Sequence, residues 1–319
     1  MKVCSVSVDL DPISCYYGIH GLGEPPAPLA HVVLQRALPR FAEIFQRRGI
    51  HATFFVVGSD LASDPSGRAT LTDLAKSGHE LGNHTHHHRY DFARLSAEEI
   101  EREVADAHQV IAQAQGSPPI GFRAPGYDMS ARVLRVLESQ GYQYDSSLFS
   151  SWPYYFAKAG VMGVMSLLGR RSHSVLGDPR ALTAPVDPYR PGSGPFRRGQ
   201  SSLVELPIAV SPFLRLPVIG NWLLVAPARV RTRLLESVRS RSFFNLELHG
   251  ADLLDADQDG IPTQLISKQH DLRIPLKDKQ RAFEAMLDRI AQDYRFAPLR
   301  EVATDVQREG KLRAGGQNL

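Results

Sequence analysis

The chain has 319 residues, enough for one large core or two modest ones, and its 43% hydrophobic and 22% charged residues are ordinary for a folded protein. A formal net charge of +3 is too mild for a nucleic-acid binder, and no nucleic-acid partner is expected. The two cysteines, Cys4 and Cys15, fit no metal or redox spacing, which excludes a disulfide scaffold and a zinc ribbon.

The first residues enter an alternating strand over 3–8 at once, leaving no room for a signal peptide. Residues 29–48 place Leu34, Leu38, Phe41, Ile44 and Phe45 at helical spacing. The run 52–57, stopped by Gly58, reads as a strand buried on both faces. A short helix over 71–76 and a strand over 79–83 follow. Ser96-Ala97-Glu98-Glu99 forms a capping box that opens a helix running to Gln115. Next come a strand over 120–123, a helix over 130–140 ended by Gly141, and a strand over 142–145. Repeated strand–helix units imply parallel strands with right-handed crossovers, whose closed form is a barrel with its site at the C-terminal strand ends.

From 146 to 199 the rhythm breaks. Residues 152–171 read as an amphipathic helix, and 174–198 as a Pro/Gly-rich loop. The pattern returns with a strand over 203–207, a helix over 228–239, a strand over 243–248 and a helix over 277–294. The apolar stretch 206–228 is broken by Pro207, Pro212, Pro217, Pro227 and Arg215, so it is no spanning helix, and the expected address is the cytoplasm. The expected layout is one α/β barrel domain over 1–305, an insertion over about 150–202 after the fifth strand, and a polar, frayed tail over 306–319.

Four short sequences fall at the expected C-terminal ends of strands. In Val8-Asp9-Leu10-Asp11-Pro12 the carboxylates at i and i+2 aim to one face, where two like charges need a cation or a proton between them; Asp-Pro alone also opens turns. In Gly82-Asn83-His84-Thr85-His86-His87-His88, His84 and His88 stand four apart, which on a helical turn puts both imidazoles on one side, as metal ligation asks. A solvated His-rich turn has the same sequence, and His86 and His87 point elsewhere on it. In Phe122-Arg123-Ala124-Pro125-Gly126-Tyr127, an arginine at a barrel mouth pairs with a carboxylate, always as a cation. The turn after it offers N–H groups to a substrate oxygen. In Asn245-Leu246-Glu247-Leu248-His249-Gly250 a histidine ends an apolar strand, more often a rim residue than a catalyst unless a barrel puts it at the mouth.

In this order, Asp-x-Asp, His-Thr-x-x-His, Arg-x-Pro and Leu-x-Leu-His resemble the motif set of the polysaccharide deacetylase (NodB-homology, carbohydrate esterase) family, over about residues 3–252. The resemblance implies an irregular (β/α)7 TIM-like barrel. It also implies a divalent metal, most often Zn2+ with Co2+, Mn2+, Ni2+ and Fe2+ as alternatives, held by Asp11, His84 and His88. Asp9 resembles the catalytic base, Arg123 the residue that fixes it, and His249 the general acid. Two departures bear on the site. Leu10 separates aspartates that are adjacent in many members, and Gly126 stands where tyrosine is common, with Tyr127 next; the oxyanion donor is therefore open between those two. The acid that tunes His249 is expected to be Asp145, with Asp252 in reserve.

The implied reaction is hydrolysis of an N-acyl, first of all N-acetyl, group from an amino sugar in a polysaccharide, oligosaccharide or lipid-linked saccharide. Asp9 takes a proton from water and His249 protonates the leaving amine. Substrate contacts are expected from the loop 13–28, with Tyr16, Tyr17, His20 and Glu24, and from Trp152. The apolar helix 152–171 ending in Arg170-Arg171, and the stretch 213–225 followed by Arg229, Arg231 and Arg233, suit an anionic membrane surface at the inner face of the membrane, although such stripes are more often core. A deformylase, a cyclic amidase or imidase on the same scaffold, and a glycan-binding barrel without turnover are the rival readings.

Overall fold

The structure, a computed structural model, describes residues 2–167, 169 and 172–315; Arg170, Arg171 and the last four residues of the expected tail lie outside the described residues. Its centre is a parallel sheet of β1 (Val3–Leu10), β2 (Thr53–Val56), β3 (Glu80–Asn83), β4 (Gly121–Phe122), β5 (Tyr144–Asp145), β6 (Val204–Glu205) and β7 (Phe243–His249), in the order β6-β5-β4-β3-β2-β1-β7. A further strand, β8 (Arg295–Phe296), pairs with Val3 and Cys4 ahead of the point where β2 begins. The curled sheet nearly closes between its edge strands. Ala209 N–H, just beyond β6, donates to Asn245 O on β7 (3.2 Å), and Asn245 Nδ2 reaches Leu206 O (3.4 Å). This is the expected irregular barrel.

Period-two alternation divides its two faces. Val6, Val8 and Leu10 of β1 and Leu246 and Leu248 of β7 join the apolar layer under the helices, while Ser7, Asp9, Asn245 and Glu247 lie buried on the other face. The interior is thus polar, and one cation ties part of it together: Arg123, fully buried, donates to Ser7 Oγ (3.0 Å), Ser146 Oγ (2.8 Å) and Ser146 O (2.8 Å). At the opposite end Glu80 accepts from Tyr144 Oη (2.9 Å), Thr53 Oγ1 (2.8 Å) and Arg300 N–H (2.9 Å), which closes the barrel floor.

The helices, in chain order, are α1 (Ile13–His20), α2 (Leu38–Arg48), α3 (Gly58–Ser63), α4 (Pro65–Lys76), α5 (Ala97–Gln115), α6 (Ala131–Ser139), α7 (Trp152–Leu167), α8 (Gly220–Val225), α9 (Ala228–Ser237), α10 (Thr263–Ile266), α11 (Leu276–Ala291) and α12 (Leu299–Gly315). Several differ from expectation, α3 and α10 among them as helices where none was expected. The segment after the aspartate pair is a helix, α1, rather than a loop; α12 runs on to Gly315 where a frayed tail is expected; and α8 breaks the irregular stretch after β6. Among the described residues no helix is long and apolar enough to cross a membrane.

Candidate metal centre and active site

Register brings the first two motifs' neighbours together. β1 and β7 pair with Asp9 opposite His249, and Asp11 follows just past the strand end. His84 continues the β3 ladder through its N–H to Val56 O (3.0 Å). The chain then turns through left-handed backbone at Thr85 (φ 64°) and His88 (φ 51°). The turn is pinned by Asn83 Oδ1 accepting Thr85 N–H (2.8 Å) and by Glu103 of α5 accepting the N–H groups of His86 and His87 (3.1 and 2.8 Å). His84 and His88 therefore converge through a strained loop, not through the helical turn their spacing suggests. His86 and His87 face away, the latter with Nδ1 2.8 Å from Glu103 Oε1.

One oxygen of Asp11 lies 3.1 Å from His84 Nε2 and 3.2 Å from His88 Nε2, and the three donor atoms lie within 4.8 Å of one another, all buried. Asp11 Oδ1 and His88 Nε2 have no hydrogen-bond partner. Ligands about 2.0–2.2 Å from a tetrahedral ion stand roughly 3.3–3.5 Å apart, so these atoms need little movement to share one. The outer nitrogens are oriented for it. His84 Nδ1 donates to Arg123 O (2.7 Å), which leaves Nε2 as the lone-pair atom, and His88 Nδ1 lies 3.2 Å from Cys15 Sγ. The residues fit a divalent ion. Without one, burial resists charge at His88, yet Asp11 and Cys15 carry its pKa up to about 9, while the two imidazoles hold Asp11 below the usual carboxylate range.

A second group, Asp9, Glu247 and His249, also gathers donor atoms within 4.8 Å. It already has its cation: Arg123 Nη1 bonds Asp9 Oδ1 at 2.6 Å and its guanidinium lies over the Phe55 ring, 4.2 Å from the centroid. Asp9 Oδ2 is left facing the metal ligands, 3.8 Å from His84 Nε2. His249 directs Nε2 toward Asp11 Oδ2 (3.9 Å) and Tyr127 Oη (3.3 Å), and Nδ1 toward Glu247 Oε1 (3.0 Å). Burial opposes an imidazolium there, but Glu247, Asp11 and Asp9 outweigh it and raise the His249 pKa to about 9.

Glu247 is the acid beside His249, and the sequence reading missed it. Asp145 is not near the histidine. It points to the other side of the sheet, bonded to Ser147 Oγ and sharing a buried site with Glu205, whose charge it discourages after burial itself. Asp252 does reach His249, but through the backbone N–H (3.0 Å) rather than the ring. The signal for Glu247 was present: on a strand, positions 247 and 249 share a face.

A cavity of about 350 Å³ is lined by Asp11 and His84 of the first group and by Asp9 and His249 of the second. Tyr16, His20, Gly126 and Tyr127 line it as expected, with Asn221, Trp222 and Asp271 as lining residues not foreseen. Two expected contacts fall elsewhere. Tyr17 is buried in the core, because α1 turns position 16 rather than 17 toward the mouth, and Trp152 stays outside the cavity with Nε1 donating to Leu182 O (3.2 Å). Glu24 is exposed beyond the end of α1 and does not line it either.

The sequence profile of the family described as Polysaccharide deacetylase matches residues 30–144, a segment that includes His84, His88 and Arg123. A peptidoglycan-N-acetylglucosamine deacetylase of Bacillus cereus is 27% identical over 139 residues, covering 43% of this chain and 62% of that protein. A chitin deacetylase of Pestalotiopsis sp. is 28% identical over 100 residues, 31% of this chain and 33% of that protein. The matches thus span only part of the length of these relatives. In overall shape the chain is similar to a crystal structure of a Mycobacterium smegmatis protein described as a polysaccharide deacetylase, with a TM-score of 0.61 at 16% identity over 97% of this chain and 92% of that one. The profile match covers about a third of the chain, within a barrel of the same fold as that structure, and it is this segment that is similar to the polysaccharide deacetylase family.

Proposed function

We propose that the protein is a divalent-metal-dependent hydrolase that removes an N-acyl group, N-acetyl first of all, from an amino sugar in a saccharide. The observation that carries this is the buried cluster of Asp11, His84 and His88, of which Asp11 and His84 line one cavity with Asp9 and His249. Two imidazoles and a carboxylate suit Zn2+, with Co2+, Mn2+, Ni2+ and Fe2+ as alternatives, and a bound ion would supply Lewis-acid polarisation of the amide carbonyl and acidify the attacking water.

The chain's own groups supply the remainder. Arg123 bonds one oxygen of Asp9 and leaves the other directed at the cavity, placed to take a proton from the attacking water. His249, held as a cation beside Glu247, stands across the mouth from it to protonate the departing amine, a poor leaving group otherwise. Tyr127 N–H is already bonded to Ala124 O (3.2 Å), which leaves Gly126 N–H as the backbone donor for the developing oxyanion. Several apolar side chains on one wall of the cavity, Val161, Met162, Ile219 and Trp222, favour a saccharide joined to a lipid over a wholly polar polymer.

The test compares two aspartates two residues apart. Asp11→Ala should lose bound metal and activity together, whereas Asp9→Asn should keep its metal and lose roughly 10²–10⁴ in kcat for acetate release from N-acetylated amino-sugar oligomers. Unchanged metal content in Asp11→Ala would contradict the ligand assignment. Release of formate from N-formyl sugars, or ring opening of cyclic imides, without acetate release would move the substrate to the rival amides. Metal retention with no acid released from any of them would overturn the hydrolase reading.

A further inference from the structure

The wall of the cavity contributed by α7 and α8 continues outward into an apolar surface. α7 has 16 residues and none of them is buried. Phe156, Val161, Val164 and Leu167 are exposed, Leu167 by 89%. The turn after β6 adds Phe213, 97% exposed, and Leu214. This turn is tied to the start of α7, because Ser151 Oγ donates to Arg215 O (2.8 Å), and Arg215 Nη1 and Trp152 Nε1 both donate to Leu182 O (2.6 and 3.2 Å). The same helix presents Val161 and Met162 to the cavity, facing Trp222 of α8. A helix apolar on every side that is not packed in a core lies against something other than water.

The two sequence segments that form this surface carry formal charges of one sign. In residues 146–177 the formal charges are Lys158, Arg170 and Arg171, and in 206–235 they are Arg215, Arg229, Arg231 and Arg233; neither segment contains Asp or Glu. Exposed Arg229 and Arg233 stand on α9, directly after α8 and its exposed Val225. Exposed apolar groups flanked by exposed arginines complement a bilayer interface that carries anionic headgroups, while Asp128 and Asp178 lie on the Lys158 side of α7. A helix of 16 residues spans about 24 Å, short of the roughly 30 Å hydrocarbon core, so α7 is suited to lie in the interface plane.

We infer that α7, the Phe213–Leu214 turn and the end of α8 dock the protein on an anionic membrane surface, with the cavity mouth at the headgroup level. Resting on the N-deacylase reading, this makes the substrate an acylated amino sugar whose lipid anchor stays in the membrane while the sugar enters the cavity.

The experiment is co-sedimentation with phosphatidylcholine vesicles with and without about 30% phosphatidylglycerol, at low and high salt. The parent should pellet with the anionic vesicles, less so as salt rises. A Phe213→Glu, Leu214→Glu double variant should bind roughly tenfold more weakly, because both side chains lie outside the packed interior and their loss leaves the fold intact. Acetate release from a short soluble N-acetylated oligosaccharide should be equal in the two. Absence of vesicle binding by the parent, or equal binding by the double variant, would overturn the docking surface. So would a stable dimer in solution that the double variant abolishes. Vesicle binding without acid release from any substrate would instead defeat the deacylase reading and leave the docking surface standing.

Discussion

Asp9 and Asp11 are two carboxylates on one strand end, and their neighbours assign them different chemistry. Asp9 is bonded to Arg123, and both are buried. Truncating Arg123 to Ala should therefore leave a buried carboxylate uncompensated and cost about 3–5 kcal/mol, measured by denaturant unfolding of the metal-loaded protein. In the proposed reaction His249, as the general acid, would set the pH dependence. A general acid must be protonated, so activity falls as pH rises through the His249 pKa, which burial would lower but the carboxylates of Glu247, Asp11 and Asp9 raise to about 9. Glu247→Gln removes the first of these anions, so the pKa falls and the alkaline limb of kcat/KM moves to lower pH by roughly one pH unit. An alkaline limb in the same place would separate Glu247 from the reaction. The four motifs are legible in sequence because each pairs a chemically distinctive residue with a strand end. Glu247 is not, because it sits between two leucines and reads as part of an apolar strand; only the shared face of 247 and 249 marks it.

At the scale of elements, legibility follows from local rules. The capping box Ser96/Glu99 forms with both of its bonds, Glu99 N–H to Ser96 Oγ (3.2 Å) and Ser96 N–H to Glu99 Oε2 (3.0 Å), because it depends on four consecutive residues. α1 carries no such signal: Ile13–His20 has two tyrosines, a glycine and no polar face, and its helicity comes from packing against the barrel rim. That single misreading is why Tyr17, expected at the cavity beside Tyr16, is buried in the core instead. Short strands are held by contacts the sequence does not display. β4 is two residues long, and a Cβ on Gly121 would overlap the Tyr144 ring, whose hydroxyl bonds Glu80 at the barrel floor. Gly121→Ala should force Tyr144 aside and destabilise by about 1–3 kcal/mol in urea unfolding, with metal content unchanged because the site lies at the other end of the barrel. A neutral substitution would mean that the floor network does not hold the ring in place.

For the whole molecule, the ion and the fold are coupled at one place. Asp11 arrives from β1, His84 from β3 and His88 from the loop pinned by α5, so one ion would join parts of the chain more than 70 residues apart. An ion held at about 100 times its dissociation constant adds roughly 2.7 kcal/mol, which for a chain of this size is about 5 °C in Tm. The metal-free protein has a substitute for that ion, a proton on His88, and the substitute depends on pH. Burial disfavours the imidazolium, but Asp11 and Cys15 raise the folded-state pKa to about 9, above the ordinary value of 6.5. A raised pKa contributes stability that is fully present below about 6.5 and is lost as pH climbs through about 9. Metal binding runs the opposite way, since the ligands must be deprotonated and the ion competes better as protons become scarce. Chelation should therefore lower Tm only slightly near pH 6 and by several degrees near pH 8.5, read by thermal unfolding of metal-loaded and chelated protein across that range. A gap that stayed constant or narrowed with rising pH would mean that His88 does not exchange a proton for the metal.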